Sequence, residues 1–335
     1  MKAVLSHKCP NCAGQVSFDI SKKQMICPHC SSAFSVYSFY TDPAEWSGAD
    51  EEDIGLFTCE NCGGDVTAPK KDTTATCPYC ESRLTLAGRL SGKKRPNYIV
   101  PFEIGLDKAV SLFKKHLGDK ILLPDAFKND RHLLKCRRIY LPFFVFNTEV
   151  TAEYKIMVPS GDSYTIVDSD GKFVFEHLPV DACKSMPNFI TEAIEPFDFS
   201  RAMPFSPSYL TDCNAEIYDE SSDACIKIAT KRVIKAISSK LEKEYDGTNT
   251  PNIFHKFSSV TLKNTEVKYV FFPVWILTTR WRKKDYIFAL NGQTGKIVSE
   301  LPCDGGKAAK KFWGRFLLVF AIGLALSALI WLVLL

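Results

Sequence analysis

The sequence lacks both an excess of charge and the motifs of nucleotide-dependent enzymes. The 42 Lys and Arg residues nearly balance the 38 Asp and Glu residues, which leaves a formal net charge of +4 over 335 residues. A chain this close to neutrality has no strong long-range attraction for polyanions. It contains no GxxxxGK[ST] loop, no GxSxG elbow, no HExxH and no GxGxxG. We therefore predict no enzyme, with no catalytic and no cofactor-binding residue apart from metal ligands.

The N-terminus lacks the apolar stretch of a signal peptide. MKAVLSHKCP has no h-region, so we expect a cytosolic N-terminus. Some of the 13 cysteines are scattered and odd in number, which is typical of thiols in a reducing compartment. These scattered cysteines are Cys136, Cys183, Cys213, Cys225 and Cys303.

The remaining eight cysteines form four CxxC pairs near the N-terminus. Each cysteine of the first half recurs fifty positions later, and flanking residues such as Val16 and Val66 recur with them. This pattern predicts one small unit that has been duplicated. The cysteines are Cys9, Cys12, Cys27, Cys30, Cys59, Cys62, Cys77 and Cys80.

Two CxxC turns separated by a short hairpin can close a tetrahedral site of four sulfurs, which suits Zn²⁺. We expect two structural zinc ions, one in each copy. Disulfides would need an oxidising compartment, and a redox CxxC would need a βαβ context that is absent here. Because four thiolates fill each site, His7 and His29 are expected to be bystanders. Gly14 and Gly64 follow their second cysteines, where we expect a positive φ.

The stretches CPNCAG…CPHC and CENCGG…CPYC resemble the zinc-ribbon family. The resemblance implies a small β fold and zinc, but no particular function, since ribbons bind DNA, RNA or protein. We place ribbon 1 at residues 1–37 and ribbon 2 at residues 57–88. An acidic linker (38–56) separates them, and a basic linker (89–97) follows. Ribbon 1 is modestly basic, but the basic residues of ribbon 2 are offset by acidic ones. The absence of a continuous basic stripe lowers the expectation of nucleic-acid binding.

Residues 98–303 are predicted to form an α+β domain with mostly antiparallel strands. Helices are expected over Asp107–Leu117, Ser185–Ile194 and Ser222–Tyr245, and long strands over Arg138–Val158 and Val267–Arg282. The prolines in the two long strands favour edge strands or bulges. We expect one hairpin between Ser163–Val167 and Lys172–Phe175 with Gly171 at its turn. We expect another between Tyr286–Leu290 and Lys296–Ser299, across a turn formed by NGQTG.

Phe316 to Leu335 contains twenty residues with no charge and no proline. As a helix this stretch spans roughly 30 Å, the thickness of a bilayer core. A basic juxtamembrane segment (304–315) precedes it, so we expect a tail anchor with the preceding chain in the cytosol, at the inner membrane. The same cations are expected to hold anionic lipid. They are Lys307, Lys310, Lys311 and Arg315.

The stretches YIVPFEI, YLPFFVFNTEVTAEY and PVWILTTRWRKKDYIFALNGQTGKIVSELP resemble a group of poorly characterised bacterial proteins. These combine zinc ribbons with a β-rich domain, and some end in a membrane helix. They often carry a label taken from the primosomal replication-restart helicase, although no nucleotide-binding loop is present here. The resemblance implies zinc and a membrane location, and an association with SPFH-domain or phage-shock-type proteins.

From these features we expect a membrane-tethered cytosolic scaffold or adaptor that binds protein partners, in envelope stress or membrane organisation. A membrane-anchored nucleic-acid binder is the alternative. An enzyme whose site is assembled from distant residues is a third hypothesis.

Overall fold

The structure is a computed structural model of the chain. It describes residues 7–39, 54–58, 65–69, 73–76, 83–85, 95–160, 163–184, 186–211, 213–245 and 255–334. Among the predicted metal ligands, Cys59, Cys62, Cys77 and Cys80 lie outside the described residues. We call residues 7–39 copy one, residues 54–85 copy two and residues 95–304 the body.

The two copies consist of short antiparallel strands. In copy one, β1, β2 and β3 pair in sequence order, and a 3₁₀ turn, Val36–Phe39, follows them. In copy two, β4 pairs with β5 and β6 pairs with β7. Strand β4 begins inside the predicted acidic linker. The strands are β1 (Ser17–Asp19), β2 (Gln24–Ile26), β3 (Ala33–Phe34), β4 (Ile54–Thr58), β5 (Asp65–Pro69), β6 (Thr74–Thr76) and β7 (Arg83–Thr85).

The body and the last helix contain the remaining elements. In chain order these are β8 (Tyr98–Ile99), α1 (Leu106–Gly118), α2 (Asp130–Leu133), β9 (Arg137–Ser160), β10 (Ser163–Asp181), α3 (Asn188–Ala193), β11 (Met203–Pro204), β12 (Asn214–Ala215), α4 (Ser222–Tyr245), β13 (His255–Trp281), β14 (Lys284–Asn291), β15 (Ile297–Ser299) and α5 (Gly305–Leu334).

One twisted sheet organises the body, in the strand order β10-β9-β13-β14-β15. All neighbours along this path are antiparallel, while β12 on β9 and β8 on β13 are short parallel additions. The predicted α+β architecture with mostly antiparallel strands is thus confirmed. The sheet is broad at its base, and β9, β10 and β13 continue beyond the base as a long three-stranded arm.

Successive side chains along each strand point to opposite faces of the sheet. At the base, apolar side chains are buried on both faces. On β9, Tyr140, Phe144 and Phe146 face a core that also contains α1 and copy one. The intervening Leu141 and Phe143 face a second core that contains α3. Beyond the base, the described residues cover one face of the arm, against which α4 packs.

The periodicity of apolar residues in the sequence predicted the helices well. The structure has α1 and α4 within one residue of the expected bounds, and α3 inside the expected range. The hairpin predicted around Gly171 is wrong. Residues 163–181 form a single strand that pairs with β9, and Gly171 lies opposite Ala152. The Asp170-Gly171 pair does not turn the chain, because β10 pairs with β9 both before and after it and stays extended.

The positions of the prolines in the long strands also differ from the expected edge strands or bulges. Pro142 and Pro273 lie in the central strands β9 and β13. Pro142 lies opposite Phe271. The Pro142 carbonyl accepts from the Ala182 amide (3.1 Å), and the Phe271 carbonyl accepts from the Val100 amide (2.9 Å). The backbone polar groups of this pair therefore point away from each other. The missing N–H of Pro142 breaks no bond between β9 and β13.

The predicted basic segment and the apolar stretch form one continuous helix, α5. It is long and apolar enough to cross a membrane, and its apolar part is not buried against the rest of the chain. Asp304 caps its start, since its carboxylate accepts from the Gly306 amide (2.9 Å). The Asp304 amide also donates to the Leu122 carbonyl (2.8 Å), which attaches the start of the helix to the body.

Candidate metal centre

Two nearly identical backbone turns form the centre of copy one. In the first, the Ala13 amide donates to the Cys9 carbonyl (2.8 Å), and the Cys9 amide donates to the Gly14 carbonyl (2.7 Å). In the second, the Ser31 amide donates to the Cys27 carbonyl at 2.9 Å. Ala13 and Ser31 have φ values of 58° and 59°, so each turn closes through a left-handed residue directly after its second cysteine.

The turns bring four sulfur atoms together. The Sγ atoms of Cys9 and Cys30 are 3.5 Å apart, and those of Cys12 and Cys27 are 3.4 Å apart. All four lie within 4.8 Å of one another. A tetrahedral zinc site with Zn–S bonds of about 2.3 Å needs sulfurs about 3.8 Å apart, whereas a disulfide needs about 2.05 Å. The spacing fits a four-thiolate metal site and not a pair of disulfides.

The pKa values of the thiols indicate that four thiolates here need a cation between them. The Ser32 hydroxyl and amide lower the pKa of Cys30 to about 6. At Cys12 a backbone hydrogen bond from Gly14 lowers the pKa, but the thiols of Cys27 and Cys30 outweigh it and raise the pKa to about 12. Four adjacent sulfurs cannot all ionise unless a positive charge lies between them. A bound divalent metal supplies that charge and deprotonates its thiol ligands.

The prediction of a positive φ at Gly14 is wrong, because the left-handed residue is Ala13. A Cβ at Gly14 would lie 2.7 Å from Cδ2 of His29 and 3.4 Å from Sγ of Cys12. A side chain at this position would therefore displace the exposed His29 ring. Gly64, its counterpart in copy two, lies outside the described residues.

Neither histidine of copy one belongs to the sulfur cluster. Nε2 of His7 is 3.1 Å from the Ser208 hydroxyl, and its ring stacks on Phe39 with centroids 5.5 Å apart. Burial lowers the pKa of His7 to about 4, so the ring is neutral at physiological pH. His29 is exposed, and its ring lies beside Gly14 of the first turn.

Copy one is attached to the body, which the sequence did not predict. The Phe18 amide donates to the Thr211 hydroxyl (3.1 Å), and the Ser206 hydroxyl donates to the Val36 carbonyl (3.1 Å). The Phe18 ring packs edge-on against Tyr209, with centroids 5.0 Å apart. Apolar residues of copy one belong to the same core as α1 and the sheet. These residues are Cys9, Val16, Phe18, Met25, Cys27 and Val36.

Two strand pairings of copy one recur in the described strands of copy two with an offset of fifty, whereas the pairing of β1 with β2 has no counterpart between β5 and β6. The Lys8–Gln15 bridge across the first turn corresponds to the pairing of Thr58 with Asp65. The pairing of Ile26 with Ala33 across the second turn corresponds to that of Thr76 with Arg83. In the sequence, the cysteines of copy two thus stand between strands that pair with each other, as in copy one.

A second polar cluster, which no sequence motif indicated, lies where β10 ends. The buried Asp181 carboxylate accepts from the Thr191 hydroxyl (2.9 Å) and the Cys183 amide (3.0 Å). Burial raises the pKa of Asp181 to about 6. The Cys183 thiol donates to the Glu216 carboxylate at 2.8 Å. These residues come from distant parts of the chain, so only the fold brings them together.

Comparison with known proteins gives one relative over nearly the whole chain. The uncharacterised protein YdjG of Bacillus subtilis (strain 168) is 32% identical over 324 residues, which cover 93% of this chain and 94% of that protein. No protein-family model matches the chain. No solved structure matches it either.

Proposed function

This chain belongs to the same family as YdjG of Bacillus subtilis, and we propose that it is a membrane-tethered adaptor whose zinc-fixed turns bind a protein partner. Its site is the outer surface of copy one, where Pro10, Asn11, Pro28 and His29 are exposed. Two structural zinc ions, held by the cysteines of copy one and copy two, hold the turns in place. The helix α5 holds the body at the cytosolic face of the inner membrane.

One observation carries the proposal: copy one is fixed to the body on one side and exposed on the other. Cys9 and Cys27 are buried, whereas Cys12 and Cys30 are exposed. The inner side donates a hydrogen bond to Thr211 through the Phe18 amide and accepts one from Ser206 at the Val36 carbonyl. A surface fixed by a metal and by a core loses little conformational freedom on binding, which favours recognition of a partner.

The membrane part of the proposal is supported by α5. Its apolar residues are exposed and have no cover within the described part of the chain, as in a helix that contacts lipid. The cations at its start favour a cytosolic body by the positive-inside rule. The resemblance of the sequence suggests SPFH-domain or phage-shock-type proteins as candidate partners.

The test combines two exposed substitutions in the turns, Pro10→Ala with His29→Ala, and a matched pair on α4, Lys235→Ala with Ser239→Ala. Full-length protein is crosslinked in membranes and purified in detergent, and zinc content is measured for each variant. We expect one stoichiometric partner with the wild type and the α4 variant, and a loss of at least about tenfold with the turn variant. All three should contain the same zinc.

Equal recovery of the partner with the turn variant would place the binding surface elsewhere. Recovery of no partner from wild-type membranes, with zinc intact, would contradict the adaptor role. Release of the wild type from membranes by alkaline carbonate would contradict the span, separately from the adaptor role.

A further inference from the structure

Two loops next to the start of α5 carry a large excess of positive charge. We call residues 119–137 and 280–285 the basal loops. Together they contain nine cations and four carboxylates. The cations are Lys120, Lys128, Arg131, Lys135, Arg137, Arg280, Arg282, Lys283 and Lys284.

Contacts hold both loops beside the point where α5 leaves the body. Nζ of Lys307, in the first turn of α5, donates to the Leu123 carbonyl at 3.0 Å. The Phe127 ring packs edge-on against Trp281, with centroids 6.4 Å apart. Nζ of Lys284 lies 2.6 Å from the Glu300 carboxylate, five residues before α5 begins. The apolar part of α5 begins at Phe316, roughly 16 Å of helix beyond Gly305, so the headgroup layer of a bilayer that contains it lies near both loops.

The carboxylates of the basal loops are mostly paired, but several cations are not. Asp125 pairs with Lys307, Asp130 with Lys114 and Asp285 with Arg280. Within the described part of the chain, six exposed cations of these loops form no ion pair within 4.0 Å. These cations are Lys120, Arg131, Lys135, Arg137, Arg282 and Lys283.

The turn between β13 and β14 carries two cations whose backbone conformation is unfavourable for long side chains. Trp281 pairs with Lys284, so Arg282 and Lys283 alone form the turn. Their φ values are 48° and 66°, and a two-residue turn with two positive φ values strongly favours Asn-Gly. Long side chains in this conformation are strained, and strained residues often mark functional positions.

Exposed apolar side chains lie among the cations. Ile121 and Leu134 are 64% and 57% exposed. Apolar residues surrounded by Lys and Arg are typical of surfaces that enter the headgroup region of a bilayer. An acidic protein partner would attract the cations but would not explain why both loops lie beside the start of α5.

We propose that the basal loops bind anionic phospholipid headgroups and hold the body flat against the membrane surface. The cytoplasmic leaflet is negatively charged, and its attraction falls off within about 10 Å at moderate salt, so only cations next to the span contribute. This inference rests on the membrane span of the proposed function. It implies that copy one has a set orientation relative to the membrane.

Lysine footprinting of the full-length chain in nanodiscs tests the inference. The chain is reconstituted with phosphatidylcholine alone or with a phosphatidylcholine–phosphatidylglycerol mixture, then acetylated briefly and analysed by mass spectrometry. We expect Lys120, Lys135 and Lys283 to react several-fold more slowly in the anionic discs, and the protection to vanish at high salt. Lys155 and Lys172 on the arm, the internal controls, should react equally in both.

A double variant, Arg282→Asn with Lys283→Gly, separates lipid binding from folding. Asn-Gly suits the turn better than Arg-Lys, so the variant should be at least as stable as the wild type. Loss of two cations should reduce the preference for the anionic surface by about 30-fold, read as lost protection of Lys120 and Lys135. The matched control, Lys155→Asn with Lys172→Asn, should retain the protection.

Equal labelling of the wild type in both kinds of disc would overturn this inference and leave the span intact. Unchanged protection in the Asn-Gly variant would overturn it as well, as would protection that requires an added acidic protein. A chain that does not enter discs at all would overturn both the span and the inference.

Discussion

Copy one and copy two share two strand pairings but differ in the residues that contact the body. Copy one contributes Phe18 and Met25 to the main core. The sequence of copy two has Ala68 and Ala75 at the corresponding positions. Leu84 of copy two is buried, and the Thr73 amide and hydroxyl donate to the Ala215 carbonyl at 3.0 and 2.8 Å. Among the described residues, copy one thus joins the main core through apolar side chains, while copy two reaches the body through the hydrogen bonds of Thr73.

We expect metal binding and docking to be separate properties of this unit. The cysteines recur in the sequence of copy two, whereas alanine stands at the positions that correspond to Phe18 and Met25. A structural zinc supplies folding energy locally, on the order of 10–16 kcal/mol in peptides. Attachment to a larger core depends on the apolar area that the unit buries.

Substituting one cysteine ligand in each copy should give the largest difference between copy one and copy two. Cys9→Ser and Cys59→Ser should each lower the zinc content by one ion per chain, measured by elemental analysis. Cys9→Ser should also lower the free energy of unfolding of the body by more than about 4 kcal/mol, since copy one is part of its core. Cys59→Ser should change it by less than about 1 kcal/mol. Equal destabilisation by both substitutions would contradict the contrast.

Making copy one resemble copy two gives the next largest effect. Phe18→Ala removes a ring that is 6% exposed and should cost about 3–5 kcal/mol in the free energy of unfolding. Zinc content should stay unchanged because Phe18 is not a ligand. Thermal unfolding and elemental analysis measure the two quantities. The control Phe189→Ala, at a ring that is 51% exposed, should have little effect. Loss of zinc from the Phe18 variant would show that docking and metal binding are inseparable.

A single hydrogen bond tests the attachment of copy two. Thr73→Val removes the hydroxyl that donates to Ala215 and should cost about 1 kcal/mol locally. Hydrogen exchange of copy two should become about fivefold faster, while global unfolding of the body stays the same. Thr74→Val is the control, because its hydroxyl lies 3.5 Å from Oδ1 of Asn214 and makes a weaker bond. Equal effects of the two variants would rule out Thr73 as the attachment point.

Much of the fold could be predicted because its signals are local. The periodicity of apolar residues predicted α1 and α4, and Asn291-Gly292 predicted the hairpin of β14 and β15. The same kind of signal failed at Asp170-Gly171, where pairing with β9 over the whole length of β10 overrides the turn preference. It failed again at Pro142, because a central strand tolerates proline when the missing donor faces no ladder bond.

The spacing of cysteines by itself determined the metal site of copy one, since ligand type and separation along the chain decide whether four thiolates can meet. Apolar content and length likewise determined α5. Only the tertiary structure decided that copy one belongs to the core of the body and that the basal loops lie beside α5. These arrangements depend on contacts between residues far apart in the chain, such as Phe18 with Tyr209 and Phe127 with Trp281, and no local pattern encodes them.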